Sequence, residues 1–125
     1  MQGGIVILAA GSSSRLGFPK QTFKINEKSL LQNVIEEAQK TSVNEIVVVL
    51  GANMETILEK IDLGKTTCVK NTNWQKGLSS SIVCGLNYFS DKIPHLEYAV
   101  FLVCDQPFLK ASNIQAIIDA YHHKL

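Results

Sequence analysis

The chain has 125 residues, of which 46% are hydrophobic and 18% charged, and its 12 Lys and Arg against 11 Asp and Glu leave a formal net charge of +1. That composition supports one ordinary buried core in a single domain, and it offers none of the clustered basic excess that gathers nucleic acid. The apolar run Ile5 to Ala10 is too short to span a bilayer and follows no basic stretch, so the expectation is a cytoplasmic protein with no membrane partner.

Short β-branched runs alternate with segments of helical periodicity, with no repeat or linker to divide them. Gly4 to Ala10 is a continuous apolar run, as expected of a central strand covered on both faces. Leu30, Leu31, Val34, Ile35 and Ala38 then fall at helical spacing. Glu45 to Leu50 predicts a second buried strand that stops at Gly51, and Met54 to Ile61 a helix. Thr66 to Lys70 is a weaker third strand, followed by the polar stretch Asn71 to Lys76. Leu78, Ile82, Val83 and Leu86 predict a helix, Tyr98 to Val103 another buried strand, and Asn113 to Tyr121 a last helix that Ser112 or Asn113 would cap. Strands alternating with helices call for a parallel sheet with helices on both faces, and ligands bind such sheets at the carboxyl ends of the strands.

The first of those ends carries Gly11 to Gln21, a glycine- and serine-rich loop with one Arg and one Lys. Its backbone amides and the hydroxyls of Ser12 and Ser13 can turn toward an anion, and Arg15 and Lys20 add charge suited to a polyphosphate. The bland alternative is a surface loop with two solvated cations. Neither common phosphate motif fits. Five residues, not four, separate Gly11 from Gly17 and Phe18 replaces the Walker lysine, while Ser13 stands at the second glycine of GxGxxG.

The second candidate is Asn71 to Leu86, where Ser79, Ser80 and Ser81 fall at a helix start and either cap the helix or receive a ligand's polar groups. In the third, Leu102 to Pro107, Asp105 sits at the carboxyl end of a buried strand. A carboxylate there suits Mg²⁺, which takes one or two carboxylates beside phosphate oxygens, although a turn aspartate before Pro107 is the alternative. Trp74 could stack on a base or anchor its loop to the core. Cys68, Cys84 and Cys104 are an odd number inside apolar stretches without CxxC spacing, as expected of buried free thiols. His95, His122 and His123 have no partner at ligand spacing and receive no role.

Leu8-Ala9-Ala10-Gly11-Ser12-Ser13-Ser14-Arg15-Leu16-Gly17-Phe18-Pro19-Lys20 resembles the LAAGxSxRxGxxK signature of the MobA-like NTP transferases, the nucleotidyltransferases related to the molybdenum cofactor guanylyl- and cytidylyltransferases. The stretch from Asn71 resembles the family's N-P-x-W-x-x-G-x-x-x-S-x-x-x-G-L, with Thr72 in place of proline and Val83 where several members have arginine. Cys104-Asp105-Gln106-Pro107 matches its CDQP without departure. The resemblance implies a three-layer α/β/α Rossmann-like, mostly parallel sheet of the nucleotide-diphospho-sugar transferase type. It implies that Leu8, Ala9, Ala10, Gly11, Ser12, Ser13 and Ser79 to Ser81 line the nucleotide. Arg15 would hold the β and γ phosphates, Lys20 the α-phosphate under attack, and Asp105 a magnesium ion. The reaction implied is transfer of CMP from CTP to molybdopterin, with a molybdoenzyme or its chaperone as partner. Ala9-Ala10-Gly11 and Pro19-Lys20-Gln21 look more like the cytidylyl branch, since the guanylyl branch usually has glycine at the Ala10 position. The guanylyltransferase, the cytidylyltransferase of isoprenoid synthesis, sugar-phosphate nucleotidyltransferases and a regulatory module that binds nucleotide without turnover are the rivals. Members of the family are usually longer, so residues 1–125 are expected to form one nucleotidyltransferase domain without its acceptor-binding portion.

Overall fold

The computed structural model describes residues 2–11, 24–25, 28–106 and 108–123. In chain order these form β1 (Gly3–Leu8), β2 (Lys24–Ile25), β3 (Lys28–Ser29), α1 (Leu30–Gln39), β4 (Glu45–Leu50), α2 (Met54–Leu58), β5 (Thr67–Lys70), a 3₁₀ turn at Trp74–Lys76, α3 (Leu78–Lys92), β6 (Tyr98–Val103) and α4 (Ala111–His123). Four strands form a parallel sheet in the order β5-β4-β1-β6, and β2 and β3 make a separate antiparallel pair. That pair has two residues per strand, too few for any periodicity to announce it.

The sheet alternation divides the core in two. Ile5, Ile7, Val48 and Leu50 pack with Leu31, Val34 and Ile35 of α1 and with Ile114 and Ile118 of α4. Val6, Leu8, Val47 and Val49 pack on the other face with Phe89 of α3 and with Ile93 just beyond it. The result is the three-layer arrangement that continuous apolar strands demand. Layer spacing on the α3 face is set by Gly85, where an added Cβ would lie 2.7 Å from Val6 Cγ1. Among the described residues, no helix is long and apolar enough to cross a membrane.

Strand order also fixes where a ligand can sit. From β1 the chain steps to β4 and on to β5, then returns across the sheet to place β6 on the opposite side of β1. The strand order therefore reverses between β1 and β6, and the crevice at a switch point opens at the carboxyl ends.

Two helices differ from their sequence pattern for local reasons. α2 stops at Leu58 instead of running to Ile61. Beyond it, Gln32 of α1 accepts the Asp62 N–H at 2.7 Å and donates to the Asp62 carbonyl at 3.0 Å, so both backbone groups of Asp62 are bound away from any helix. α4 begins at Ala111, two residues early. The buried Glu37 carboxylate of α1 accepts the Ala111 N–H at 2.9 Å, and Asn113 Oδ1 accepts the Lys110 N–H at 3.0 Å. Asn113 thus serves the helix start from inside it. Lys40, donating to Glu37 at 2.8 Å, is the main reason the Glu37 carboxyl titrates below its ordinary range, with the Ala111 N–H adding to the effect against the opposing influence of burial.

Candidate functional site

β1 and β6 run in register with Leu8 opposite Val103, so Ala9–Gly11 and Cys104–Asp105 leave the sheet side by side. The exit of β1 is tied to β4: the Ala9 N–H donates to the Val49 carbonyl at 3.0 Å, and the Ala52 N–H donates to the Ala10 carbonyl at 3.1 Å. Ala9 and Ala10 are buried by these ties, which leaves Gly11 as the exposed lip. Among the described residues, no atom beyond its chain neighbours lies within 4 Å of the place a Gly11 side chain would begin, and its φ is outside the left-handed range. Neither the described neighbours nor the backbone conformation requires glycine at position 11.

Beside Gly11, on the α3 face, lies a cleft of about 180 Å³ lined by Leu8, Ala10, Gly11, Trp74, Gly77, Leu78 and Ser81. Trp74 anchors its loop, one of the two roles its sequence context suggested. Its Cβ, Cγ and Cδ1 cover Gly51, where an added Cβ would meet them at 2.7 to 2.8 Å, so the ring is anchored on the end of β4. The same side chain forms a wall of the cleft.

The three serines separate into three roles. Gly77 precedes α3 with φ of 99° and no side chain caps the helix, so capping does not explain the serines. Ser79 is exposed and outside the cleft lining. Ser80 Oγ donates toward the Asn73 and Gly77 carbonyls at 2.9 and 2.7 Å and accepts from Asn71 Nδ2 at 2.9 Å, which holds the turn before α3. Ser81 alone is buried and lines the cleft. Asn71, which composition did not single out, is the hub of this turn. Trp74, Gly77 and Leu78 join the lining because the turn folds them over Ala10, a placement visible only in three dimensions.

Asp105 is exposed just beyond β6, at the carboxyl edge where the register brings it alongside the end of β1. Among the described residues, no group of three or more His, Cys, Asp or Glu side chains could hold a metal ion. Ser12, Ser13, Arg15 and Lys20 lie outside the described residues. Cys104 is buried as expected, whereas Cys68 and Cys84 are only partly so; burial still pushes both thiols up, away from the reactive thiolate. His95 is exposed. His122 packs edge-on against Tyr98, with ring centroids 5.3 Å apart. It borders a wider cavity of about 300 Å³ with Gln2, Ser42 and Glu45, at the amino ends of the strands and away from all three motifs.

Against known proteins, the MobA-like NTP transferase domain matches residues 5–124, almost the whole chain. The chain belongs to this family. It is similar to the nicotine blue oxidoreductase of Paenarthrobacter nicotinovorans, at 29% identity over 115 residues that make up 90% of this chain and 54% of that protein. Among solved structures, the Mycobacterium tuberculosis H37Rv protein Rv0371c superposes with a TM-score of 0.81 at 25% identity, covering 95% of this chain and 60% of that one. A manganese complex of Rv0371c superposes at 0.78, with 22% identity over 96% of this chain and 59% of that one. The fold is also shared with CMP:2-keto-3-deoxy-manno-octonic acid synthetase in complex with CTP, at a TM-score of 0.75 and 21% identity over 98% of this chain and 48% of that one. The chain thus spans only about half to 60% of the length of these relatives.

Proposed function

We propose that this MobA-like domain belongs to a nucleotidyltransferase that transfers CMP from CTP to the phosphate of molybdopterin and releases pyrophosphate. One observation carries the reading: the family stretches that begin at Leu8 and at Asn71 both contribute to a single cleft at the carboxyl end of β1, lined by Leu8, Ala10 and Gly11 from the first and by Trp74, Gly77, Leu78 and Ser81 from the second. Among the described residues the cleft has largely apolar walls and one buried hydroxyl, a lining suited to a flat base. Cytidylyl chemistry is supported by Ala10, which stands where the guanylyl branch usually has glycine, and by the CTP complex of a protein with the same fold.

In this reading the base enters between Trp74 and Leu8, and the sugar passes Gly11. The phosphates then reach the loop from Ser12 to Lys20, where Ser12 and Ser13 add donors, Arg15 holds the β and γ groups and Lys20 the α-phosphate. An acceptor phosphate oxygen attacks the α-phosphorus, the bond to the bridging oxygen breaks, and pyrophosphate leaves with that electron pair. Residues of the chain position the reactants and neutralise charge, so no covalent nucleophile is needed. Asp105 fits a magnesium ion: it is an exposed carboxylate at the carboxyl edge, and a nucleotide-borne ion needs one or two protein carboxylates. Bound there, the ion would neutralise developing phosphate charge. The manganese complex of Rv0371c supports a divalent cation in the family. The acceptor side of the site is assigned to the part of the relatives without a counterpart here.

Arg15→Ala and Lys20→Ala should each weaken CTP binding in calorimetry, and Asp105→Asn should abolish the tightening that Mg²⁺ brings. Unchanged affinities would reject the phosphate and metal assignments. A chain joined to an acceptor-binding portion, given Mg·CTP and molybdopterin, should release pyrophosphate; binding of both without release would favour the regulatory module.

A further inference from the structure

Among the described residues that line the cleft, Ser81 supplies the one hydroxyl and is 4% exposed. Its Oγ accepts a hydrogen from Asn71 Nδ2 at 3.0 Å. Asn71, 3% exposed, cannot be turned around: Oδ1 accepts the Asn73 N–H at 2.9 Å, and the second Nδ2 hydrogen goes to Ser80 Oγ at 2.9 Å. A flipped amide would set its NH₂ against the Asn73 N–H. Ser80 could not rescue it, because its own hydrogen is committed to the Asn73 and Gly77 carbonyls. The Asn71 backbone is pinned as well, with its N–H on the Leu50 carbonyl at 2.7 Å. Ser81 therefore receives a hydrogen from Asn71, and its own hydroxyl hydrogen finds no acceptor among the described residues.

We propose that Asn71 fixes Ser81 as a hydrogen-bond donor into the cleft, so that the site selects a flat heterocycle that presents an acceptor there. The inference rests on the base-pocket reading above and deepens it. A pyrimidine carbonyl oxygen or unprotonated ring nitrogen meets the requirement, whereas an exocyclic amine pointed at Ser81 does not. Asn71 touches no ligand in this scheme; it is a positioning residue that sets the polarity of Ser81. A buried group whose donor is left unpaired costs more than one that was never polar, which gives the device its selectivity.

The test is a double-mutant cycle read by CTP titration of the 125-residue chain with Mg²⁺, following Trp74 fluorescence, with the apo melting temperature recorded for every variant. Ser81→Ala removes the donor and should raise the Kd by roughly tenfold, the order expected for one lost hydrogen bond. Asn71→Asp offers carboxylate oxygens to both serines, draws the Ser81 hydrogen away and leaves a lone pair facing the ligand's acceptor. Its loss should exceed that of Ser81→Ala, and the double variant should return to the Ser81→Ala level, because without the hydroxyl there is no polarity to invert. Ser81→Cys, a weaker donor that leaves Asn71 untouched, should fall between wild type and Ser81→Ala, and it keeps the test decisive if Asn71→Asp does not fold. Additive losses in the double variant, or a Kd in Ser81→Ala and Ser81→Cys equal to wild type, overturn the inference while leaving the pocket intact. A wild-type chain that binds CTP without any Trp74 response overturns the base-pocket reading and the inference with it.

Discussion

Gly11→Ala separates a residue kept for the fold from one kept for a ligand. An added Cβ meets nothing within 4 Å among the described residues and the backbone there is not left-handed, so the described fold should accept alanine without strain. Replacing glycine where its conformation suits alanine reduces the entropy of the unfolded chain and stabilises by about 0.4–1 kcal/mol. In a domain of this size that corresponds to a rise in melting temperature of roughly 1–4 °C. The ligand-bound state should respond in the opposite direction. Gly11 lines the cleft of about 180 Å³, and a methyl group placed there competes with whatever enters. Overpacking typically costs about 1–3 kcal/mol, which converts to a roughly 5- to 150-fold rise in Kd. Urea denaturation of the apo chain and calorimetry with Mg·CTP, run on the same preparations, check both halves. A marked loss of apo stability would mean that Gly11 serves the fold after all, and an unchanged Kd would mean that the ligand passes elsewhere.

Gly85→Ala should behave differently, because its Cβ would sit 2.7 Å from Val6 Cγ1 at the contact between α3 and β1. Overpacking of about 1–3 kcal/mol is set against the roughly 1 kcal/mol gained in helix propensity, so urea denaturation should report a net loss of up to about 2 kcal/mol, partly recovered when Val6→Ala is added. Glu37→Gln tests the tie between α1 and the start of α4. The Glu37 carboxyl titrates below its unfolded range, so its contribution is present above the unfolded value and is lost as pH falls through the lower folded one. Melting temperatures of wild type should therefore drop more steeply than those of Glu37→Gln on acidification below the ordinary glutamate range, and parallel curves would show that Lys40 and Ala111 contribute nothing through this group.

The layered sheet was legible because β1 and β4 are buried on both faces and read as unbroken apolar runs, whereas β6, expected from its apolar run to be buried as well, lies at the side of the four strands with Phe101 and Val103 exposed. Tyr98–Val103 was bounded to the residue, and Glu45–Leu50 likewise. Helix ends were legible only where local chemistry decides them. α2 is cut short by Gln32, thirty residues away in sequence, and α4 is started early by a glutamate on another helix. The site divides in the same manner. Of the residues the motifs single out, Leu8, Ala10, Gly11 and Ser81 line the cleft, since strand ends follow from topology, whereas Ala9 packs into the core on the opposite face. Ser80 could not be told from Ser81 by composition: the difference is which hydroxyl has its hydrogen committed to backbone carbonyls, and that depends on how the turn from Asn71 to Gly77 folds. Trp74 lies 23 positions (74 − 51) beyond Gly51, on which it is anchored, and no spacing rule marks such a contact.

Trp74 is the chain's single tryptophan and a wall of the cleft, so its fluorescence reports on that site alone. The central claim is that the cleft at the carboxyl end of β1 takes the base of a nucleoside triphosphate. Titration of the wild-type chain with CTP and Mg²⁺ should give a saturable change in Trp74 emission, at lower concentrations than GTP and with an affinity that falls in Gly11→Ala. No response to any nucleoside triphosphate, or a response confined to a nicotinamide dinucleotide, would contradict it.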